Sequence, residues 1–428
     1  MRTGRKLALI WAIIFALKLL YVFLFGLRIE IDSFNYVFNT LSFEYPLLYP
    51  SFLHFAHIIY PGLGLIPVLQ SFIFACCAAA FIHYVSTNRK QAFLFAILLG
   101  LDPVSGFFCT DIMSESLFIS ILFCWIILIY HFFRNKEYSK IHVFIIGCVG
   151  ALLYLDRFAG IIFVLAFLVI SVIFTIHRKR VLLTILITVI GFQLTLLPVR
   201  IKYKEVFGTF RINGFTGAML WNNASVIYPN SAIQKKPRTS FEKLLSQCDI
   251  NAFNEYNALK ARQLNEPSLP FRLFISKQKY KPQDAPKVSD EAGSAALRLI
   301  STQPWQYFRR YVIPNAAQFF FDGEYTVNAT AYCRNFGDDY LPEHYRPIVP
   351  YTRLEWSAVF ISLLFSAWLY LKGRRPLIAG IVILVSCCYL FILPFVCTVA
   401  IRLELIIFPI TLSALFLQLT DSTIRRSV

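Results

Sequence analysis

The chain has 428 residues, 57% of them hydrophobic and 15% charged, with a mean hydropathy of +0.60. That is far more apolar than a soluble domain needs for its core, so water is not its main solvent. The formal charge of +17 invites a nucleic-acid partner, but the basic residues sit where membrane-flanking anchors belong and where they suit anionic lipid headgroups, which excludes nucleic acid.

A helix needs about 20 apolar residues to cross a bilayer, and a spanning segment must be helical because lipid satisfies no backbone hydrogen bonds. Such runs recur at 7–27, 66–85, 92–109, 116–133, 141–155, 158–176, 181–199, 353–371, 377–397 and 404–420. Asp102-Pro103 interrupts the third run and the fifth is short, so either is a partial or tilted crossing rather than a full one. The expectation is an all-α polytopic membrane protein of about ten transmembrane helices. The first run has the length of a full span and no small-residue cleavage site follows it, which argues against a cleavable signal peptide.

Lys and Arg in short connections are retained on the cytoplasmic side. Arg2, Arg5 and Lys6 precede the first run. Arg89-Lys90, Arg134/Lys136/Lys140, Arg178-Lys179-Arg180, Lys372/Arg374/Arg375 and Arg425-Arg426 then fall in alternate connections. Both termini are therefore expected in the cytoplasm, and the long segment from about 200 to 352 outside. The chain divides into three parts: an N-terminal membrane module at 1–199 with external loops at 28–65 and 102–115, an extracytoplasmic segment at 200–352, and C-terminal transmembrane helices at 353–428.

The first loop is too aromatic for a solvated linker. Phe34, Val37, Phe38 and Leu41 recur at helical spacing, as do Phe52, Phe55, Ile58 and Ile59, which predicts two short amphipathic helices lying in the interface. Tyr45-Pro46 and Tyr49-Pro50 mark the turn between them. The long external segment turns to Asn, Gln, Lys, Pro and Ser, with helical stretches around 240–264 and 289–311. It holds two glycosylation sequons, Asn223-Ala224-Ser225 and Asn328-Ala329-Thr330, which matter only in a eukaryotic secretory compartment. Most of the ten cysteines lie in apolar runs as small hydrophobes. Cys248 and Cys333 lie in the external segment, and their spacing leaves a disulfide between them open.

The topology places Glu30, Asp32, Glu44, Asp102, Asp111, Glu115, Asp156 and Glu404 at or near the outer face, with Glu137 and Asp421 on the cytoplasmic side. Retention of basic residues inside explains part of that bias. Clustering in apolar context adds to it: Asp32 follows the first span, and Asp111 and Glu115 lie one helical turn apart at the entry to the fourth. Carboxylates buried there have raised pKa values unless a cation compensates.

Arg28, Arg157 and Arg402 share that face. Each has a structural reading, with Arg157 paired to Asp156, Arg402 to Glu404, and Arg28 snorkelling to the interface. Each also has a functional one, a guanidinium gripping phosphate bidentately. His54 and His57 lie three residues apart on one helix face, a spacing that permits metal ligation, but no third ligand is obvious nearby. No nucleophile elbow, Walker loop, Rossmann glycine pattern or zinc-protease motif is present.

Taken in order, these motifs resemble the glycosyltransferase-C superfamily, particularly bacterial membrane enzymes related to protein mannosyltransferases and to aminoarabinose transferases of lipid A. The likeness rests on Asp32 followed by Tyr36 in a long first external loop, on Tyr45-Pro46-Leu47-Leu48-Tyr49-Pro50, on Ser114-Glu115, on Arg157, and on Arg402 before Pro409. The sequence departs from the family pattern at Ser33, where Glu often follows the first acid, and at Leu403, where Tyr usually follows Arg.

The resemblance implies transfer of a sugar from a polyprenyl-phosphate donor to a lipid, glycan or protein acceptor, by inverting single displacement with Asp32 as base. Arg402, Arg157 and Arg28 would bind the departing phosphate. Tyr36, Tyr45, Tyr49 and His54 would line the substrate, while Asp111 and Glu115 orient the acceptor or hold a divalent cation. A bacterial inner membrane, or the endoplasmic reticulum in a eukaryote, is the implied location. The competing readings are a flippase of a lipid-linked precursor, which predicts ionisable residues near mid-membrane, an O-antigen ligase or polymerase, and a non-catalytic membrane scaffold.

Overall fold

The structure is a computed structural model that describes residues 2–29, 33, 36–37, 46–86, 89–134, 139–174, 178–212, 216–228, 236–239, 241–243, 285–313 and 364. These are mostly helical, and no strand occurs among them. They fall into two compact units divided between Leu196 and Leu197.

The first unit runs through α1 (Arg2–Phe25), α2 (Leu48–Ile59), α3 (Leu65–Val85), α4 (Arg89–Leu101), α5 (Pro103–Thr110), α6 (Glu115–Arg134), α7 (Lys140–Asp156), a 3-10 turn at Phe158–Gly160, α8 (Ile161–Phe174) and the greater part of α9 (Arg178–Phe207). Their apolar composition makes them helices in lipid, and local chemistry sets their ends. Gly26 adopts φ 67° and its N–H bonds back to the Val22 carbonyl at 2.9 Å, closing α1 with a left-handed cap. Gly208, at φ 68°, does the same for α9 through the Lys204 carbonyl.

Among the described residues, four helices are long and apolar enough to cross a membrane: Gly4–Phe25, Leu65–Tyr84, Glu115–Phe133 and Lys179–Phe207. A fifth arises if α4 and α5, bent by 55° at their junction, are one span. The chain is thus a membrane protein. The interruption expected at Asp102-Pro103 is this bend, since Pro103 cannot continue the α4 hydrogen-bond ladder and opens α5 instead. The fifth predicted run is α7, a helix of 17 residues. The last three predicted spans lie outside the described residues except for Leu364, which is helical.

Helix α1 packs on α3, α4 and α5; α3 packs on α6, α6 on α7, and α7 on α2 and α8. Where α7 crosses α9, glycines replace side chains on both helices. A Cβ on Gly147 would lie 2.3 Å from the Thr188 carbonyl oxygen, and one on Gly191 would lie 2.4 Å from that of Phe144. In lipid, where apolar side chains gain nothing from leaving solvent, close backbone approach of this kind supplies the packing. Helix α2 is the second of the two predicted amphipathic helices, and it begins earlier than expected, because Tyr49-Pro50, read from the sequence as turn, forms its first turn, where proline is tolerated. It buries Tyr49, Pro50, Leu53 and Ala56 and exposes Phe55, Ile58 and Ile59.

The second unit holds α10 (Thr216–Ala224), α11 (Ala285–Thr302), the short α12 (Pro304–Tyr307) and a π-helical turn at Phe308–Val312. Gly217 and Gly293 let α10 and α11 touch, since a Cβ on Gly217 would fall 1.9 Å from the Ser289 carbonyl oxygen. Trp221, edge-on to Phe241 at 5.1 Å, centres its core. Thr239 and Glu242 form a capping box, Oγ1 of Thr239 accepting from the Glu242 N–H at 3.1 Å and the Glu242 carboxylate accepting from the Thr239 N–H at 3.3 Å. Of the helical stretches predicted in the external segment, the one near 289–311 corresponds to α11 and the turns after it. The one at 240–264 lies outside the described residues beyond Lys243, as do Cys248 and Cys333.

The crossing of α7 and α9 gives a direct test. Gly191→Ala should lower the unfolding temperature in detergent, with a loss of about 1–3 kcal/mol typical of overpacking. Gly4→Ala, whose Cβ would meet nothing within 4 Å, should leave it unchanged.

Candidate functional site

A break in a membrane helix exposes backbone groups that lipid cannot satisfy, and side chains meet that need at both ends of α5. At its start Asp102 is the N-cap, its carboxylate accepting from the Ser105 N–H at 2.8 Å and from the Ser105 hydroxyl. Lys18, buried inside α1, donates to the Asp102 carbonyl at 3.0 Å and to the Ser105 hydroxyl at 2.8 Å. Its ammonium also lies 5.4 Å from the Tyr21 ring centre and 5.3 Å from that of Phe74. The Tyr21 hydroxyl donates to the last carbonyl of α4, Leu101, at 2.7 Å.

At the other end the amide of Gln70, on α3, donates to the carbonyls of Cys109 at 3.0 Å and Asp111 at 2.8 Å. The Tyr49 hydroxyl donates to the Gln70 carbonyl at 2.7 Å, and Tyr36 meets the Tyr49 ring edge-on at 5.1 Å. Burial pushes the Tyr49 phenol well above its usual range, and the nearby Glu115, Tyr36, Asp156 and Asp111 push it further, so Tyr49 stays a neutral donor.

The chain leaving α1 is fastened to this turn. Arg28 N–H donates to Thr110 O at 3.0 Å, Ile112 N–H to Arg28 O at 3.1 Å, and the Ser33 hydroxyl to Ile112 O at 2.9 Å. Arg28 Nε then lies 3.1 Å from an Asp111 carboxylate oxygen, both side chains nearly fully buried, with the guanidinium 5.0 Å from the centre of the Phe107 ring. Arg157 Nη1 lies 2.6 Å from Glu115 Oε1. Both contacts are charge to charge, since the Arg28 Nε and Arg157 Nη1 hydrogens are not aligned on these oxygens. Glu115 opens α6, where the helix dipole favours an anion, and Arg157 caps the C-terminal end of α7, where it favours a cation.

No family model, curated protein or solved structure matches this chain. The site is therefore read from its own geometry.

That geometry redistributes the roles expected from the sequence. Asp111 and Glu115 come to one region, each facing an arginine. Arg28 and Arg157, expected at phosphate, approach carboxylates instead, and Arg157 pairs with Glu115 rather than with its sequence neighbour Asp156. His54 lies exposed on α2, on the side away from the buried Tyr49, and His57 is exposed as well. Asp32, Tyr45 and Arg402 lie outside the described residues. Among the described residues, no three His, Cys, Asp or Glu side chains are arranged to hold a metal ion.

Lys18 and Gln70 were not singled out by sequence patterns, and Asp156 was named there only as an outer-face acid and a partner for Arg157. A lysine in an apolar run was the available signal for Lys18, whereas Gln70 and Asp156 gain meaning only from what surrounds them. Asp156 ends α7 in the connection beyond the predicted span and is fully buried. Among the described residues neither of its carboxylate oxygens has a hydrogen-bond partner. Burial raises its pKa well above the usual carboxylate range; Arg157 opposes that rise and Glu115 adds to it.

The second unit has a separate open cleft of about 450 Å³ lined by Arg211, Thr239, Lys287, Asp290, Glu291 and Ser294 among others. Its charges include an exposed pair, Arg211 to Asp290 at 2.6 Å, which solvent screens. The buried charges of the first unit are the better basis for chemistry.

Two measurements probe these buried charges. Arg28→Leu alone should remove the guanidinium facing the buried Asp111 and cost about 3–5 kcal/mol in an unfolding titration, with part of it recovered in the double variant Arg28→Leu/Asp111→Leu. Because the folded pKa of Asp156 is raised, its contribution favours the fold at pH below about 4 and is lost as pH rises toward the folded value. The stability of Asp156→Asn relative to wild type should therefore grow with pH over that interval, measured by thermal unfolding across a pH series.

Proposed function

We propose that the chain is an integral membrane glycosyltransferase that moves a sugar from a polyprenyl-phosphate donor to a lipid, glycan or protein acceptor at the extracytoplasmic face. The observation that carries this reading is the group of buried Arg28, Asp111, Glu115 and Asp156, with the partly exposed Arg157, around the turn that receives the first loop. Buried charges are costly for a merely structural element, and acids with arginines suit a reaction that removes a proton from an acceptor and releases a phosphate.

In this reading the acceptor oxygen or nitrogen attacks the anomeric carbon, the bond to phosphate oxygen breaks, and the lipid phosphate departs with its electron pair. Asp32 takes the acceptor proton. Arg402 stabilises the phosphate as it leaves, and the arginine–carboxylate pairs hold the surrounding turns in place.

A flippase of a lipid-linked precursor is the second reading, favoured by Lys18, an ionisable residue buried within the first span. Its ammonium is bonded across the α4–α5 break, which is a fixed structural duty rather than that of a moving carrier.

Purified protein incubated with a panel of polyprenyl-phosphate sugars should release lipid phosphate. Asp32→Asn should reduce that release by at least about 100-fold, as loss of a general base does. Equal turnover in the two proteins would remove Asp32 from the mechanism. Absence of turnover with every donor and acceptor tried would favour transport or a scaffold role.

A further inference from the structure

The second unit carries large aromatic side chains on its outside. From α12 into the π-helical turn, Tyr307, Tyr311 and Val312 pack into the core that holds Trp221. Trp305, Phe308 and Ile313 do not, and are 68%, 37% and 48% exposed. The Trp305 and Phe308 rings stack on each other with centres 5.7 Å apart, so they form one apolar patch. The Ile313 N–H donates to the Phe308 carbonyl, closing a π turn that brings Ile313 near it.

Arg309 and Arg310 are exposed within the same turn. Among the described residues neither has a hydrogen-bond or ion-pair partner. In the sequence no Asp or Glu occurs between Glu291 and Asp322. A stacked Trp and Phe are costly on a surface that meets only water. Trp fits a membrane interface instead, since its ring body is apolar and its one N–H is polar. Arginine beside it suits the phosphates of anionic lipid.

The bilayer is also the partner nearest at hand. The second unit begins within α9, whose segment Lys179–Phe207 is long and apolar enough to cross a membrane. That tether holds the unit at high effective concentration beside lipid headgroups, so a weak contact is enough. A second copy docking patch to patch would bring like-charged arginines together, which opposes the contact.

We propose that Trp305, Phe308 and Ile313 enter the headgroup region of an anionic lipid surface, with Arg309 and Arg310 on its phosphates. The docking requires only that the chain is a membrane protein and does not rest on the transferase reading.

The test uses the full chain reconstituted into vesicles of phosphatidylcholine, with or without phosphatidylglycerol, whose acyl chains carry bromine near the headgroup end. Bromine quenches tryptophan fluorescence on contact from the lipid, and acrylamide does so from water. The Trp305 component is the difference between wild type and Trp305→Phe, which keeps an aromatic ring at the position. In vesicles containing phosphatidylglycerol, brominated lipid should quench that component and acrylamide should reach it poorly. Arg309→Gln/Arg310→Gln should lower the lipid quenching by about fivefold or more, because each arginine near an anionic surface adds an attraction of that order. Arg309→Lys/Arg310→Lys, which keeps both charges, should retain it.

Acrylamide quenching as strong as that of free tryptophan would put the ring in water and overturn the docking. A component shielded from both quenchers would mean that protein covers the patch, with the same consequence. Equal lipid quenching with and without phosphatidylglycerol, or undiminished quenching in the glutamine pair, would overturn the assignment to an anionic surface.

Discussion

A helix broken inside an apolar environment must find partners for its free carbonyls and amides, and the first unit is organised around that constraint. Asp102-Pro103 breaks the chain between α4 and α5. The groups set free are taken up by Tyr21 and Lys18 from α1 and by Asp102 and Ser105 themselves, and Gln70 from α3 takes up carbonyls at the other end of α5. In water these bonds would have competitors and a modest net value. In a bilayer the alternative to each is an unsatisfied polar group. The break thereby becomes a rigid joint, with α1 and α3 locked to α5.

The joint fixes the turn beyond α5. Asp111 is the C-cap residue of that helix, its carbonyl held by Gln70 and its backbone bridged to Arg28. Glu115 opens the next helix four residues later. The two carboxylates are therefore set by backbone geometry, and two arginines from distant parts of the sequence are brought to them. Such pairs specify one arrangement of turns because separating them would leave buried charge unpaired. Asp156 stands apart as a buried acid whose carboxylate has no hydrogen-bond partner among the described residues and is opposed only by the charge of Arg157.

Much of the fold was legible in the sequence because the bilayer imposes a simple rule on composition. Runs of apolar residues give spans, and Pro103 after Asp102 marks a break. Helix α2 follows from apolar spacing in the first loop, and the helical stretch near 289–311 emerges as α11 and the turns after it. The chemistry was less legible. Proximity in sequence suggested that Arg157 answers Asp156, yet the last turn of α7 directs Arg157 to Glu115. His54 shares an aromatic helix with Tyr49, but the two lie on different sides of it.

Composition and local pattern were enough to establish a helical membrane protein, the places where polar residues interrupt its apolar runs, and the gathering of acids and arginines near the ends of those runs. Hydropathy and helix-breaking are local properties, readable from a residue and its neighbours. Tertiary packing was needed to settle which arginine meets which carboxylate, that Lys18 and Gln70 secure the broken helix, and that Asp156 is left without a hydrogen-bond partner among the described residues. Those outcomes depend on distances between segments far apart in the chain, and a charge in a low-dielectric interior takes its meaning from whatever lies within a few ångströms of it.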